Sequence, residues 1–253
     1  GVTVPCCLHG LPGGGRVWDG VAAALGGSHR VVAPDLPGLG AGARPLRPRD
    51  LGDIAASTEE MLAELALPKR FVLVMHDVGA LFGLAWAVER PQRPAALVVL
   101  NAGVFGDRRW HWGARLLRTR GLGALLVRAL PRAAFAHELR RVSAGGIDAA
   151  TAARLHADFP LPARQTARHL YRLQGPRLFT GFEVRVRALA AEVPSLVLWG
   201  ERDPYLPGSF AARFGAAQVR CYPDLGHWPH VEAPGRLAAD LEDFIEAQGL
   251  RPV

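Results

Sequence analysis

The stretch Phe71-Val-Leu-Val-Met-His-Asp-Val-Gly-Ala80 decides the fold of this 253-residue chain. An apolar run of strand length ends at His76-Asp77, and two small residues follow shortly after, which is typical of a tight turn from a buried strand into a helix. In the frame G-x-S-x-G, such a turn lifts one side chain above the edge of a parallel sheet. Asp77 takes the nucleophile position here, and Met75 stands in place of the first glycine. The stretch therefore predicts a nucleophile elbow whose nucleophile is a carboxylate.

Strand-length apolar runs recur along the chain and alternate with helical patterns. Apolar residues spaced by three and four predict amphipathic helices over 51–65 and 237–245, and segment 80–88 is apolar on all sides, as in a buried helix. This alternation predicts an α/β fold, with a mostly parallel twisted sheet flanked by helices. The predicted strands are 3–8, 30–33, 71–75, 96–100, 195–199 and 218–222.

A long interval between two of these strands has no strand pattern. From residue 103 to 191 there are only helical stretches rich in arginine, leucine and alanine, which predict a helical cap over one end of the sheet. The predicted core domain is 1–102 with 192–253. Residues 107–187 hold sixteen arginines and five acidic residues, a formal charge of +11 within a total of +7. Such an excess of positive charge can attract anionic partners, although it more often belongs to a basic helical surface that contacts only solvent.

Composition narrows the classes of function. The chain has no run of eighteen uncharged apolar residues and no charged-then-apolar leader, which predicts a cytoplasmic protein without membrane contact. It has no finger, zipper or RNP motif, so nucleic acid is not an expected partner. Cys6, Cys7 and Cys221 lack disulfide or zinc spacing and are predicted to be reduced core residues. No metal or other cofactor is predicted.

Three further motifs follow strands in an informative order. The motif LHGLP after the first strand can supply the N–H of Leu11 to an oxyanion hole that it shares with the N–H of Val78. The motif WGERDP offers Asp203, and GHWPHVEAP offers His227. The chain order is then nucleophile, acid and histidine, the order of a catalytic triad on an α/β-hydrolase fold.

With its HGxP and HDxGA motifs, the chain resembles the α/β-hydrolase family, and most of all its epoxide hydrolase and haloalkane dehalogenase branch. The resemblance covers residues 5–245 and is weakest within the cap. It implies that Asp77 is the nucleophile, His227 the base and Asp203 the partner of the base. Simpler interpretations exist, since Asp77 can cap the following helix and Asp203 can form a turn, but four motifs in order favour catalysis.

The chemistry of a carboxylate agrees with this assignment. A carboxyl group with the ordinary pKa of about 3.9 is ionised at neutral pH, so a carboxylate such as that of Asp77 can attack a saturated carbon that bears an epoxide oxygen or a halide. The product is an alkyl ester, whereas attack on an ordinary ester would give a high-energy anhydride. His227, oriented by Asp203, can then activate the water that hydrolyses the ester. An epoxide-opening hydrolase is the first prediction.

The leaving group depends on residues of the cap. The resemblance implies two cap tyrosines that protonate the epoxide oxygen, and Tyr171 is the only tyrosine in the insertion. His111 and His137 are alternatives for the second donor. His76, which precedes Asp77, is also a substrate-binding candidate, although His76 and the histidines at 9 and 230 are mainly expected to orient loops.

Haloalkane dehalogenase is the second prediction. The resemblance implies side-chain N–H donors for the halide at positions that Leu11 and Val78 occupy, so both donors are absent there. Trp110 and Trp112 are candidates to replace them and are predicted to contact substrate. A third hypothesis is a lyase, a cyclase or a binding protein, whose basic cap holds an anionic small molecule or docks an acidic carrier protein.

Overall fold

The protein is described here by a computed structural model that covers residues 4–27, 29–144 and 146–250. Its centre is a five-stranded, fully parallel sheet in which the strands lie side by side in chain order. Helices flank the sheet, so the α/β class predicted from the sequence is confirmed. The strands are β1 (Pro5–Leu8), β2 (Phe71–His76), β3 (Pro94–Leu100), β4 (Ser195–Gly200) and β5 (Gln218–Tyr222).

The central strands are apolar because both faces of the sheet are covered. Every residue of β2, β3 and β4 is buried. Side chains alternate between faces along a strand, so Leu73 and Met75 join one hydrophobic core while Val72 and Val74 join the other. Near-continuous apolar runs of this kind are typical of parallel strands.

Eleven α-helices are present in the described residues. The predicted helix that follows β2 is buried at all ten positions. Among the described residues, no helix combines the length and apolarity needed to cross a bilayer. The helices are α1 (Asp19–Leu25), α2 (Leu51–Ala63), α3 (Val78–Ala87), α4 (Trp112–Arg118), α5 (Leu122–Ala129), α6 (Arg132–Val142), α7 (Ala149–Ala157), α8 (Leu161–Leu173), α9 (Phe182–Glu192), α10 (Pro229–Glu232) and α11 (Pro234–Ala247).

Two local predictions were wrong. Segment 30–33 is not a strand: only Val32 pairs with β1, through hydrogen bonds of 2.8 and 2.9 Å with residues of that strand. Pro34 follows at once and has no N–H to extend the pairing. Cys221 is exposed rather than in the core, because it lies on the edge strand β5, whereas Cys6 and Cys7 are buried. Residue 3 of the first predicted strand lies outside the described residues.

The segment between β3 and β4 consists of helices α4 to α9, and we call it the insertion (residues 103–191). Phe135, Leu139 and Leu155 form a small hydrophobic core there, which also includes Trp228. The backbone N–H of His227 donates to the carbonyl of Val142 at 2.9 Å. The insertion therefore packs directly against the loop that carries His227.

Candidate active site

The residues that follow the five strands lie together at the carboxyl end of the sheet. Because all five strands are parallel, their carboxyl ends lie on the same side of the molecule. Leu11 comes shortly after β1, Asp77 after β2, Asn101 after β3, Asp203 after β4 and His227 after β5. Four of the five were predicted from the sequence; Asn101 was not.

Asp77 sits at the tip of a strained turn. Its backbone angles are φ 47° and ψ −116°, a conformation that side-chain-bearing residues rarely adopt. The turn is tight because α3 packs onto the end of β1: a Cβ added at Gly79 would lie 2.5 Å from the carbonyl oxygen of Leu8. The backbone N–H of Leu11 donates to Oδ2 of Asp77 at 3.0 Å. One carboxylate oxygen is thus held by a main-chain donor.

Val78, the other residue predicted for an oxyanion hole, is the first residue of α3. The first N–H groups of a helix have no partner within the helix. The N–H of Val78 therefore belongs to the helix end that adjoins the Asp77 carboxylate, and it is suited to receive negative charge there.

His227 and Asp203 form a buried pair. Nδ1 of His227 lies 2.7 Å from Oδ2 of Asp203. Burial opposes both charges, but the His227 charge and its hydrogen bond set the pKa of the Asp203 carboxyl below its usual range. Burial likewise acts to lower the pKa of His227, yet the adjacent Asp203 carboxylate raises it above the ordinary value. The pair combines an oriented imidazole with a carboxylate that stays ionised.

Asn101 is a site residue that the sequence reasoning missed. Its side-chain amide donates to Oδ2 of Asp203 at 2.9 Å and to the carbonyl of Gly200 at 3.1 Å, while its Oδ1 accepts from the N–H of Gly200 at 2.9 Å. Its φ of 32° is unusual for a residue other than glycine. The available signal was its position: a polar residue directly after a buried strand, at the edge where Asp77 and Asp203 lie.

A small cavity of about 40 Å³ opens over Asp77 and His227. Residues of the insertion and of the loop after β4 cover it, and they include Tyr171 and Trp110, two of the candidates for contact with substrate. The lining residues are Leu11, Asp77, Arg108, Arg109, Trp110, His111, Tyr171, Tyr205, Leu206 and His227.

Tyr171 and Trp110 are held in a stack of rings and cations. The Trp110 ring contacts two guanidinium groups, with Arg108 at 3.8 Å and Arg118 at 4.8 Å from the ring centre. Trp110 also meets Tyr171 edge to face, with 5.5 Å between ring centres. Burial raises the pKa of Tyr171 above its ordinary value, so its hydroxyl stays protonated and can donate a hydrogen bond.

His111 and Tyr205 lie on the same cavity wall. Their rings stack at 4.1 Å, and the Tyr205 hydroxyl donates to Glu138 at 2.5 Å. Nδ1 of His111 accepts from the N–H of Ala114 at 3.4 Å, and burial lowers the pKa of His111 to about 4. A neutral ring with Nδ1 as acceptor carries its proton on Nε2. Tyr205 was missed because it lies after β4, outside the insertion where a second tyrosine was sought.

Three candidate residues do not line the cavity. Trp112 is 66% exposed and does not line the cavity. His137 is exposed on α6 and does not line the cavity. His76 is fully buried behind the nucleophile, where its Nε2 donates to the carbonyl of His227 at 2.8 Å, so it orients that loop and does not touch the cavity. Burial lowers the pKa of His76 to about 3.

His9 and His230, the other histidines expected to orient loops, differ in their hydrogen bonding. His9 bonds to the carbonyl of Gly10 at 2.8 Å and accepts from the N–H of Leu36 at 2.9 Å, which ties two loops together. Neither ring nitrogen of His230 has a partner among the described residues. His230 lines a second, larger cavity of about 330 Å³ beside Arg16 and α7, which does not include Asp77. No cluster of metal-ligating side chains occurs within the described ranges.

Sequence comparison finds relatives with several activities. The family model described as "Alpha/beta hydrolase family" matches residues 7–240. A dihydrolipoyllysine-residue acetyltransferase component of an acetoin cleaving system from Pseudomonas putida is 26% identical over 97% of this chain and 64% of that protein. A putative carbamate hydrolase from Klebsiella pneumoniae is 40% identical over 40% of this chain and 38% of that protein. The chain thus spans less than two thirds of the length of these two relatives.

A cis-3-alkyl-4-alkyloxetan-2-one decarboxylase from Xanthomonas campestris is 25% identical over 96% of this chain and 88% of that protein. Among solved structures, an epoxide hydrolase (CorEH) superimposes with a TM-score of 0.78 at 17% identity, covering 97% of this chain and 92% of that chain. A haloalkane dehalogenase variant from Bradyrhizobium elkanii superimposes with a TM-score of 0.82 at 20% identity, covering 98% and 90%. At these identities the two structures share the fold with this chain.

Proposed function

We propose that this chain, which belongs to the alpha/beta hydrolase family and is an enzyme of that type, opens an epoxide by attack of the Asp77 carboxylate on carbon. The observation that carries the proposal is the geometry at Asp77. A carboxylate stands at the tip of the strained turn, one oxygen is held by the N–H of Leu11 at 3.0 Å, and His227 and Tyr171 line the same cavity. A serine at this position would serve acyl transfer, whereas a carboxylate is suited to a carbon electrophile.

In the first step, Oδ1 of Asp77 forms a bond to an epoxide carbon and the ring carbon–oxygen bond breaks. An alkoxide is a poor leaving group unless it receives a proton. Tyr171 donates that proton, and the Nε2–H of His111 on the same cavity wall is the second donor. Both rings line the cavity with Asp77, which supports this pairing. The product of the step is an alkyl ester of Asp77.

In the second step, His227 accepts a proton from a water molecule that attacks Cγ of the ester. Negative charge develops on Oδ2, which the N–H groups of Leu11 and Val78 receive. The Cγ–Oδ1 bond then breaks, and the diol leaves. Of the two protons of the water, one goes to the new hydroxyl of the diol and the other restores Tyr171. The 2.7 Å contact between His227 and Asp203 supports an imidazole oriented for this step.

The test is to trap the ester. A His227→Gln variant should accumulate an adduct with the mass of the epoxide when it is incubated with a panel of epoxides, because the second step lacks its base. Asp77→Asn on the same background should show none. An absence of adduct across epoxides and haloalkanes, with the variant folded, would contradict the proposal. Release of chloride or bromide alongside an adduct would instead identify a dehalogenase.

A second candidate is a lyase that acts on a strained lactone. The relative from Xanthomonas campestris, which aligns over 96% of this chain, is named as a decarboxylase of an oxetan-2-one. A four-membered lactone also presents a saturated carbon bonded to a ring oxygen, so attack by the Asp77 carboxylate on that carbon breaks the carbon–oxygen bond and frees the lactone carboxylate. Loss of this carboxylate as carbon dioxide then expels the Asp77 carboxylate and leaves an alkene. Release of carbon dioxide from a cis-3,4-dialkyl-oxetan-2-one by the wild-type chain, with no diol from epoxides, would favour this candidate.

A further inference from the structure

Arg108 brings a positive charge into the cavity above Asp77. Its Nη2 donates to Oε1 of Gln174 at 2.7 Å, and its guanidinium lies over the Trp110 ring at 3.8 Å. Within the described residues, no carboxylate lies within 4.0 Å of this guanidinium. The charge of Arg108 therefore lacks an ion-pair partner, although the group lines the cavity above Asp77.

This arrangement costs free energy unless an anion completes it. A guanidinium that leaves bulk water without an ion-pair partner pays a desolvation penalty. Burial lowers the pKa of Arg108 to about 10, so the group remains charged at neutral pH, while the nearby Asp77 charge acts in the opposite direction. Arg141 and Arg213 behave differently, since they pair with Glu138 and with Glu183 at 2.7 and 2.6 Å.

The contacts around Trp110 that hold Arg108 also hold Tyr171, the proposed proton donor. Arg118, which also contacts the Trp110 ring, donates to the backbone carbonyls of Tyr171 and Gln174. Tyr171 and Trp110 pack in a T-shaped arrangement. The orientation of the Arg108 fork is therefore coupled to that of the Tyr171 hydroxyl. A ligand carboxylate bound by this fork, with two parallel N–H···O bonds, is held at a defined distance from the group that protonates the epoxide oxygen.

We propose that Arg108 binds a carboxylate of the substrate, so that the preferred substrate is a short epoxide that carries a carboxylate. The inference rests on the proposed function, because ester formation removes the negative charge of Asp77 and leaves Arg108 dependent on the anion of the substrate. The cavity of about 40 Å³ has room for about one or two water molecules, so it favours a short substrate over a long one. Attraction to the segment that supplies Arg108 and Tyr171, which carries a formal charge of +11, also favours entry of an anion.

The first experiment compares two isosteric epoxides that differ in charge, oxirane-2-carboxylate and oxirane-2-carboxamide. Wild-type protein should show a higher kcat/KM for the carboxylate. Arg108→Gln should lose about 100-fold in kcat/KM on the carboxylate and about threefold or less on the amide, as expected when a charged hydrogen-bonded pair is lost. Arg120→Gln, which removes an exposed arginine of the same segment, should change neither value. Equal losses on both epoxides in Arg108→Gln would overturn the inference.

The second experiment separates this inference from the proposed function, since it requires no turnover. Calorimetry with 2,3-dihydroxypropanoate, the hydrolysis product, should show binding to wild-type protein and to Asp77→Asn, and a Kd at least tenfold weaker for Arg108→Gln. Gln174→Glu places a carboxylate against Arg108 without unfolding the site, and it should weaken binding in the same way while the Tm is kept or rises. Wild-type binding that Gln174→Glu leaves unchanged would overturn the inference, even if both epoxides are inert.

Discussion

Asn101 donates its side-chain N–H to Oδ2 of Asp203 at 2.9 Å, the same oxygen that lies 2.7 Å from Nδ1 of His227. The other oxygen of Asp203 accepts two backbone N–H groups, from Tyr205 and Leu206. The carboxylate is thus held by four donors. Asn101 acts on the chemistry through Asp203, and we expect it to be a positioning residue for the imidazole.

Asn101→Gly tests this role without disturbing the backbone, since glycine adopts the φ of 32° readily. We expect kcat to fall about 10- to 100-fold, in the range of losses for residues that orient a catalytic group, with KM little changed and the pH limb of kcat shifted. Asn101→Ala should lose the same activity and be less stable than the glycine variant by about 1 kcal/mol, because alanine is strained at this φ. Unchanged kcat and an unchanged pH limb in the glycine variant would contradict the role.

The pH dependence of ester hydrolysis reports on His227. Burial opposes its charge, but the Asp203 carboxylate holds its pKa above the ordinary value of 6.5. The proposed water activation needs neutral imidazole, so kcat should rise with pH through a single limb and then level off. The Asp77 charge also raises this pKa, and it is absent in the ester, so the limb of kcat should lie below the titration of His227 in the free enzyme. A kcat that is flat from pH 5.5 to 9 would contradict this assignment.

Tyr171→Phe separates epoxide opening from halide release. Loss of the proton donor should lower kcat/KM for epoxides by about 10²- to 10⁴-fold, while any activity on haloalkanes should remain, because a halide leaves without protonation. Tyr222→Phe is the matched control, since its hydroxyl bonds to Asp240 at 2.5 Å outside the cavity. Equal epoxide turnover in the Tyr171 variant and the control would exclude Tyr171 as the acid.

Gly79→Ala tests the packing that creates the elbow. An added Cβ would lie 2.5 Å from the carbonyl oxygen of Leu8 and 2.7 Å from that of His9. Neither backbone can move without displacing β1 or the Leu11 loop, so we expect a loss of about 1–3 kcal/mol in the free energy of unfolding. Gly235→Ala, at an open position of α11, should be neutral or stabilising by up to about 1 kcal/mol. Thermal unfolding of the two variants and the wild-type protein, measured in parallel, gives these changes in the free energy of unfolding.

The site residues that follow the strands could be predicted from the sequence because two rules place these residues close to one another. Each follows a buried apolar run, and the carboxyl ends of parallel strands share one edge of the sheet. Asp77, Asp203 and His227 were found in this way. Asn101 obeys the same rules, but a single asparagine after a strand is also an ordinary turn residue, so nothing in the sequence distinguished it.

The residues of the insertion could not be placed by such rules. Periodicity predicts which face of a helix is apolar, but it does not say how short helices dock on one another. Trp110 and Trp112 looked equivalent in the sequence, yet Trp112 starts α4 and points to solvent while Trp110 lies in the cavity. Arg108 and Tyr205 came close to Asp77 only through long-range packing, from segments about 30 and 130 residues away along the chain.

The hydrogen bond from the N–H of Leu11 to Oδ2 of Asp77 makes the two carboxylate oxygens unequal. Under the proposed reaction Oδ2, which is held by Leu11, stays with the protein. Oδ1 departs in the diol and is replaced by an oxygen from water. A fresh enzyme molecule would then give one of its own atoms to its first product. Every later product would contain an oxygen acquired one cycle earlier, so the isotopic composition of the product would lag that of the solvent by a single turnover.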